Sequence, residues 1–256
     1  VNRSFFALFT LAALTSCRVS MSPVQNRFAP GEEPFAVFVA DGEAGVGDLF
    51  AVRAEGGPTF PITYTRVREL APVLAPTGTA LAFLREAVAG DPSTRRVVIM
   101  NLLNGGELML PRTDAPPDAV GWSPDASILY VRTGSGTLAA SAPPAKGELR
   151  ALDSLEAVHA DSAFDVLLGT PAFGRAIDCP EGGVCVQLES GERSPLAADG
   201  RGAVRWGSDS VGYFVGAGFV VRPLGPGRLR ELRLTPPRLA PREMTFFPGP
   251  AGQGPQ

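Results

Sequence analysis

WSPDASILYV, residues 122–131, carries a strand end, a tight turn and a strand start in ten residues, and it echoes along the chain. LAPTGTALAF (74–83) and WGSDSVGYFV (206–215) repeat it clearly, and VHADSAFDVL (158–167) repeats it weakly. FAPGEEPFAV (28–37) and FFPGPAG (246–252) are partial copies. The starts at 28, 74, 122, 158, 206 and 246 are separated by 46, 48, 36, 48 and 40 residues. A repeat of this length with strand–turn–strand content is the signature of a β-propeller blade.

The turn has a physical reason. Pro124 stands second in Ser123-Pro-Asp-Ala126, where its fixed φ suits a type I turn, and Asp125 can bond the local backbone. Pro76 holds the same place in Ala75-Pro-Thr-Gly78. Trp122 and Trp206 end the preceding strand at matched positions, and Asp209 follows Trp206 as Asp125 follows Trp122. Matched Trp positions imply packing between blades rather than a sugar-stacking platform.

Elsewhere helical periodicity is nearly absent, and 25 Pro and 30 Gly punctuate short β-rich runs. The chain reads as all-β. Each blade is expected to hold four strands, a to d. Strand b is FAVFV (35–39), ALAFL (80–84), ILYV (128–131), FDVLL (164–168) and GYFV (212–215). Strand c is LFAVRA (49–54), VVIMNL (97–102), TLAASA (137–142), VCVQLE (184–189) and FVVRPL (219–224). Strand d is TFPIT (59–63), ELMLP (107–111), ELRAL (148–152), RSPLA (193–197) and LRELRL (229–234). ELAPVL (69–74), DAVGW (118–122), LEAVHA (155–160) and GAVRW (202–206) supply strand a for blades two to five. Blade one lacks a good strand a, and REMTFF (242–247) is a good strand a with nothing after it. The reading is a five-bladed ring closed by pairing REMTFF with FAVFV. A six-bladed or incomplete ring is the alternative.

The start of the chain reads as an address. Arg3 precedes an apolar run from Phe5 to Leu14, too short for the ~20 residues of a membrane span. Leu14-Thr15-Ser16-Cys17 then resembles the lipobox of bacterial lipoproteins. That resemblance implies a signal peptide over 1–16, cleavage before Cys17 and lipid on Cys17, hence a membrane partner through the anchor. An ordinary secretory signal with an incidental cysteine is the alternative. Arg18, rather than Asp, follows the cysteine; by resemblance to Gram-negative sorting this implies the outer membrane. Residues 17–27 read as a polar tether, 28–250 as the propeller and 251–256 as a tail.

The formal net charge is −3 at pH 7, and −4 without residues 1–16. Weak acidity gives no reason to expect nucleic acid as a partner. Cys179 and Cys185 flank Pro-Glu-Gly-Gly-Val between strand-like segments, and in an exported protein they are expected to form a disulfide. A redox or metal pair is the alternative, with His159 the lone imidazole.

WSPDASILYV, DLFAVRAEGGPTFPIT (48–63) and APTGTALAFLRE (75–86) resemble TolB-type propeller repeats. In that family a Trp-Ser-Pro-Asp-Gly turn joins strands a and b, and a Gly-Gly hairpin joins c and d. Leu49-Phe50…Glu55-Gly56-Gly57 keeps the hairpin pattern; Ala126 replaces the turn glycine, which Gly78 retains. The resemblance spans roughly 28–250 at repeat level and implies a periplasmic or surface propeller. TolB-type proteins also carry a small α/β domain before the propeller, for which the residues after Cys17 leave no room.

No catalytic residue is assigned. G-x-S-x-G and D-x-[DN]-x-[DN]-G are absent, and one His excludes multi-His zinc sites. Asp41-Gly-Glu43…Asp48 reads as a solvated loop, with a weak Ca²⁺ site as the alternative. Arg228, Arg230, Arg233, Arg238 and Arg242 interleave with Glu231 and Glu243, as on a solvated strand, with a patch for an anionic partner as the alternative. No cofactor or metal is expected. The leading function is an envelope-tethered scaffold that binds a protein or another envelope component. An enzyme with a site in the central channel, or a degenerate propeller fragment, is the alternative.

Overall fold

The computed structural model describes residues 24, 27–42, 45–141, 156–157, 175–188, 190–207, 209–216, 218–235 and 241–250. Blade one starts with β1 (Phe35–Asp41) and β2 (Gly47–Arg53), antiparallel from Phe35↔Arg53 to Asp41↔Gly47. β3 (Gly57–Pro58) and β4 (Phe60–Pro61) follow, and β4 pairs with β2. Blade two is β5 (Arg68–Leu74), β6 (Ala80–Glu86), β7 (Arg95–Asn101) and β8 (Glu107–Met109), hydrogen-bonded in chain order. Blade three is β9 (Pro117–Trp122), β10 (Ile128–Thr133), β11 (Gly136–Ser141) and β12 (Glu156–Ala157). Blade four is β13 (Arg175–Asp178), β14 (Val184–Gln187) and β15 (Arg193–Ala197). Blade five is β16 (Gly200–Trp206), β17 (Ser210–Val215), β18 (Gly218–Pro223) and β19 (Arg230–Leu232). β20 (Leu234–Thr235) then runs parallel to β3, tying blade five to blade one. β21 (Arg242–Phe247) ends the series beside β1.

The sheets form a five-bladed β-propeller. Side chains alternate across a strand with period two, so a strand between two neighbours feeds both. Phe35, Val37 and Val39 pack with Leu81, Phe83 and Val98 of blade two, while Ala36, Phe38 and Ala40 pack with Trp206, Phe214 and Phe219 of blade five. Blade two does the same on its other side, where Ala82 and Leu84 meet Trp122, Leu129 and Val131 of blade three. The first strands touch one another in the order β9, β5, β21, β16, β13.

The chain's two ends close blade one. β21 pairs with β1 at Phe35↔Phe247, Ala36↔Phe246, Val37↔Thr245 and Phe38↔Met244. Phe247, 2% exposed, lies in the cluster shared with blade two, its ring 5.8 Å from that of Phe35. Phe246 points the other way and stacks on Trp206 at 3.9 Å. REMTFF is therefore strand a of blade one.

Three segments differ from the sequence reading. ELRAL (148–152), read as strand d of blade three, and FDVLL lie outside the described residues. Glu156–Ala157, read within strand a of blade four, instead pairs with β11 and takes the fourth place in blade three. In blade four Arg175–Asp178 touches β16 as the other first strands touch their neighbours, and VCVQ comes next to it. VCVQLE is thus the second strand and RSPLA the third. The real turn is Cys179-Pro-Glu-Gly-Gly183, five residues like 75–79 and 123–127. Its Gly182 N–H donates to the Cys179 carbonyl at 2.9 Å, as Ala126 N–H does to Ser123 and Gly78 N–H, at 2.8 Å, to Ala75. The packing also reaches further toward the N-terminus than residue 28. Val24 is wholly buried with Phe28 in the cluster between blades one and two.

Phe247→Ala removes the side chain that joins the closing strand to two blades. It should cost about 3–5 kcal/mol, or roughly 6–20 °C in Tm. Calorimetry on the purified variant reads this directly, and an unchanged Tm would contradict the closure.

Candidate functional site

The disc has two unlike ends. First and third strands run parallel, so the turns between strands one and two and those between three and four share one end, the turn end. The connections between strands two and three occupy the other, the loop end.

The turn end is held by short-range bonds. Ser123 Oγ donates to Asp125 Oδ1 at 2.6 Å and accepts from Ile128 N–H at 3.0 Å. Asp125 Oδ1 also accepts from Ser127 N–H and Oγ at 3.1 and 2.8 Å. These bonds, that from Ser123 foremost, hold the Asp125 carboxyl down at about 2. Pro124 is exposed beside it. Ala126 has φ 60° where Gly78 has 67°, a left-handed position that favours glycine. Gly78 has a second constraint, since a Cβ there would lie 2.6 Å from the Phe247 ring. Pro76 is exposed at the tip of that turn. Trp122 Nε1–H donates to the Val73 carbonyl of blade two at 3.0 Å, making it a strut between blades. Trp206 packs on Phe246 and Phe219. Asp209 accepts from Ser210 Oγ at 3.0 Å, and its carbonyl accepts from Leu224 N–H. Cys179 and Cys185 form a disulfide with Cα atoms 5.4 Å apart, joining the blade-four turn to β14. Cys17 and His159 lie outside the described residues.

The loop end carries the charges. In four blades the bonds of an arginine on the first or second strand are described there. Arg242 meets Asp41 at 2.6 Å, Arg68 meets Glu86 at 3.6 Å and Arg132 meets Asp118 at 2.7 Å. Arg201 donates to the Gly216 carbonyl at 2.8 Å. The first strands also bulge here. Ala71, Glu243 and Gly202 have φ of 48°, 27° and 63°. Two of the bulges turn an N–H toward a neighbouring blade: Ala71 N–H donates to the Glu243 carboxylate, and Ala203 N–H to Asp178 Oδ1 at 3.1 Å. Nothing in the sequence marked these bulges, because the residues share no type.

Between blades one and two sits a buried polar chain. Glu69, fully buried, accepts from Thr63 Oγ1 and from Arg85 Nη2, the latter at 2.8 Å. Arg85 forks onto Glu107 at 2.6 and 2.9 Å. Burial pushes the Glu69 carboxyl above the ordinary carboxylate range, against the pull of Thr63 and Arg85. Burial opposes charge on Arg85, but its bonds to Glu107 and Glu69 outweigh that and hold it protonated. Beside the chain lies a cleft of about 310 Å³ lined by Ile62, Tyr64, Thr65, Met100, Gly105 and Glu107.

Two carboxylates of the loop read with a weak Ca²⁺ alternative are described, and both are bonded elsewhere. Asp41 is engaged by Arg242, while Asp48 is buried and accepts from Thr65 N–H at 3.0 Å. Glu43 lies outside the described residues. Among the described residues the single grouping of three metal-ligand atoms is Cys179, Glu181 and Cys185, and both its sulfurs are in the disulfide.

No protein-family model matches the sequence, and no curated protein matches it. Solved structures do. TolB from Acinetobacter baumannii aligns over 77% of this chain and 52% of its own, at 11% identity and a TM-score of 0.39. A protein assigned as TolB from Agrobacterium tumefaciens aligns over 78% and 61%, at 16% identity and a TM-score of 0.38. The tricorn protease aligns over 76% of this chain and 22% of its own, at 16% identity and a TM-score of 0.37. The chain spans little more than half the length of these TolB structures. The fold itself is established by the five sheets.

Two measurements test the turn end. The Asp125 carboxyl should titrate by NMR near 2, against an ordinary value of about 3.9. Since its folded pKa is lowered, its contribution to stability holds above the unfolded value and is lost as pH falls toward 2. Ser123→Ala should move the midpoint upward; no movement would show that the Ser123 bond is not its cause. Alkylation without reductant should add nothing at Cys179 or Cys185 by intact mass, whereas two adducts would reject the bridge.

Proposed function

We propose that the protein is a lipid-anchored component of the bacterial cell envelope whose propeller binds a protein or another envelope component. What supports the binding role is the use made of the loop-end carboxylates. Asp41, Glu86, Asp118 and Glu243 are each engaged by an arginine or a backbone N–H, so each serves to hold strands and blades together. Rigid discs with variable loops serve recognition. What supports the location is Leu14-Thr15-Ser16-Cys17 after a short apolar run. Acyl chains contribute about 0.8 kcal/mol per buried CH₂, and more than one chain gives stable anchoring. Arg18 favours the outer membrane.

Cys17→Ser should move the expressed protein from the membrane to the soluble fraction and abolish palmitate labelling. If the variant stays with membranes and the parent takes no label, the lipoprotein reading is wrong.

A further inference from the structure

We infer that the turn end of the propeller faces the membrane and that the loop end, with the arginine–carboxylate pairs of blades one to three, faces away. This rests on lipid attachment at Cys17, as proposed above, and adds the orientation. The deciding residues are Val24, Arg27 and Phe28. Val24 is wholly buried and Phe28 nearly so, in the cluster between blades one and two. Arg27 N–H closes a turn on the Val24 carbonyl at 3.0 Å. The Arg27 carbonyl accepts from Arg53, the last residue of β2, and its guanidinium lies 5.1 Å from the Phe60 ring centroid. The Phe28 ring lies 4.6 Å from that of Phe35, the first residue of β1. The end of β2 and the start of β1 are both at the turn end, so the chain is clamped there.

The leash is then short. Seven residue steps separate Val24 from Cys17, which reach at most about 25 Å when fully extended. A seven-residue strand such as β1 is itself about 23 Å long. Carrying the lipid to the loop end would use nearly the whole leash on the height of the blade, before any detour round its edge. With the acyl chains in the bilayer, the turn end is brought to the headgroups.

Single cysteines on the full-length lipidated protein test this. Leu103→Cys and Pro76→Cys place an exposed thiol at the turn end, and Ala89→Cys and Ser135→Cys place one at the loop end. Each is labelled with a fluorophore in liposomes carrying a nitroxide on the lipid headgroup. Loss of fluorescence is expected at 103 and 76, and none at 89 and 135. Equal loss at both ends, or loss at 89 and 135 alone, from protein that floats with the liposomes overturns the orientation. Failure to float would instead defeat the anchor. Inserting a flexible Gly/Ser segment of about 20 residues after Cys17 should equalise the two ends. An asymmetry that survives this insertion overturns the short leash as its cause.

Discussion

The pairing of β21 with β1 is the contact on which the disc depends. Without it β1, buried on both faces, would present a row of unpaired N–H and C=O groups, the exposed edge that β proteins must cover. The pairing joins residues 35 and 247, about two doublings of loop length beyond a single repeat. Each doubling costs about 0.6 kcal/mol of closure entropy. Full burial of Phe247 contributes about 1.5–3 kcal/mol, and the partly buried Phe246 adds to it. Burial therefore exceeds the entropic cost of bringing the ends together. Phe247 and Phe246 divide that burial between blades two and five, so the last strand locks three blades at once.

The polar groups inside the ring follow from the same geometry. Propeller first strands crowd toward the axis, and the bulges at Ala71 and Gly202 free backbone N–H groups there. A hydrogen bond to such a group contributes about 0.5–1.5 kcal/mol net. Glu243 and Asp178 each supply one from the adjacent blade. Glu69 meets a harder demand, since a buried carboxylate is tolerated only when paired and hydrogen-bonded. Arg85 and Thr63 provide the pairing, and Glu107 holds Arg85 from its far side.

Much of this was legible in the sequence where local chemistry determines structure. Pro124, Asp125, Pro76 and Gly78 announce their turns because a turn is built within five residues. The apolar runs at 35–39, 80–84 and 212–215 announce the second strands because these are buried on two faces, and 128–131 does so with one face buried and the other half-buried. The orphan REMTFF announced closure by simple count. Blade four was misread because its turn has Cys179 and Glu181 where Ser123 and Asp125 stand in blade three. The Pro and Gly spacing was present in Cys-Pro-Glu-Gly-Gly, but the cysteines suggested a stand-alone hairpin. The disulfide is in fact laid over a blade turn, tying turn to second strand as the Ser123 hydroxyl ties to Ile128. Val24 and the Glu69–Arg85 pair were invisible for another reason. Their partners are distant in sequence and share no repeat pattern.

The two ends of the disc differ in how far their bonds reach, and this bears on where recognition sits. The side-chain bonds that build the Ser123–Ser127 turn span two to five residues, and the first turns of blades two, three and four are all five residues long. Those three blades rebuild the same object, while blade five turns within 207–209. Loop-end pairs run between strands or between blades, and the connections there vary: 42–46 in blade one, 87–94 in blade two and 134–135 in blade three. A repeat fold that keeps one end uniform and lets the other vary has confined its chemical individuality to the variable end. In this chain that end also carries the arginine–carboxylate pairs of blades one to three, and it lies opposite the site where the N-terminal segment is clamped.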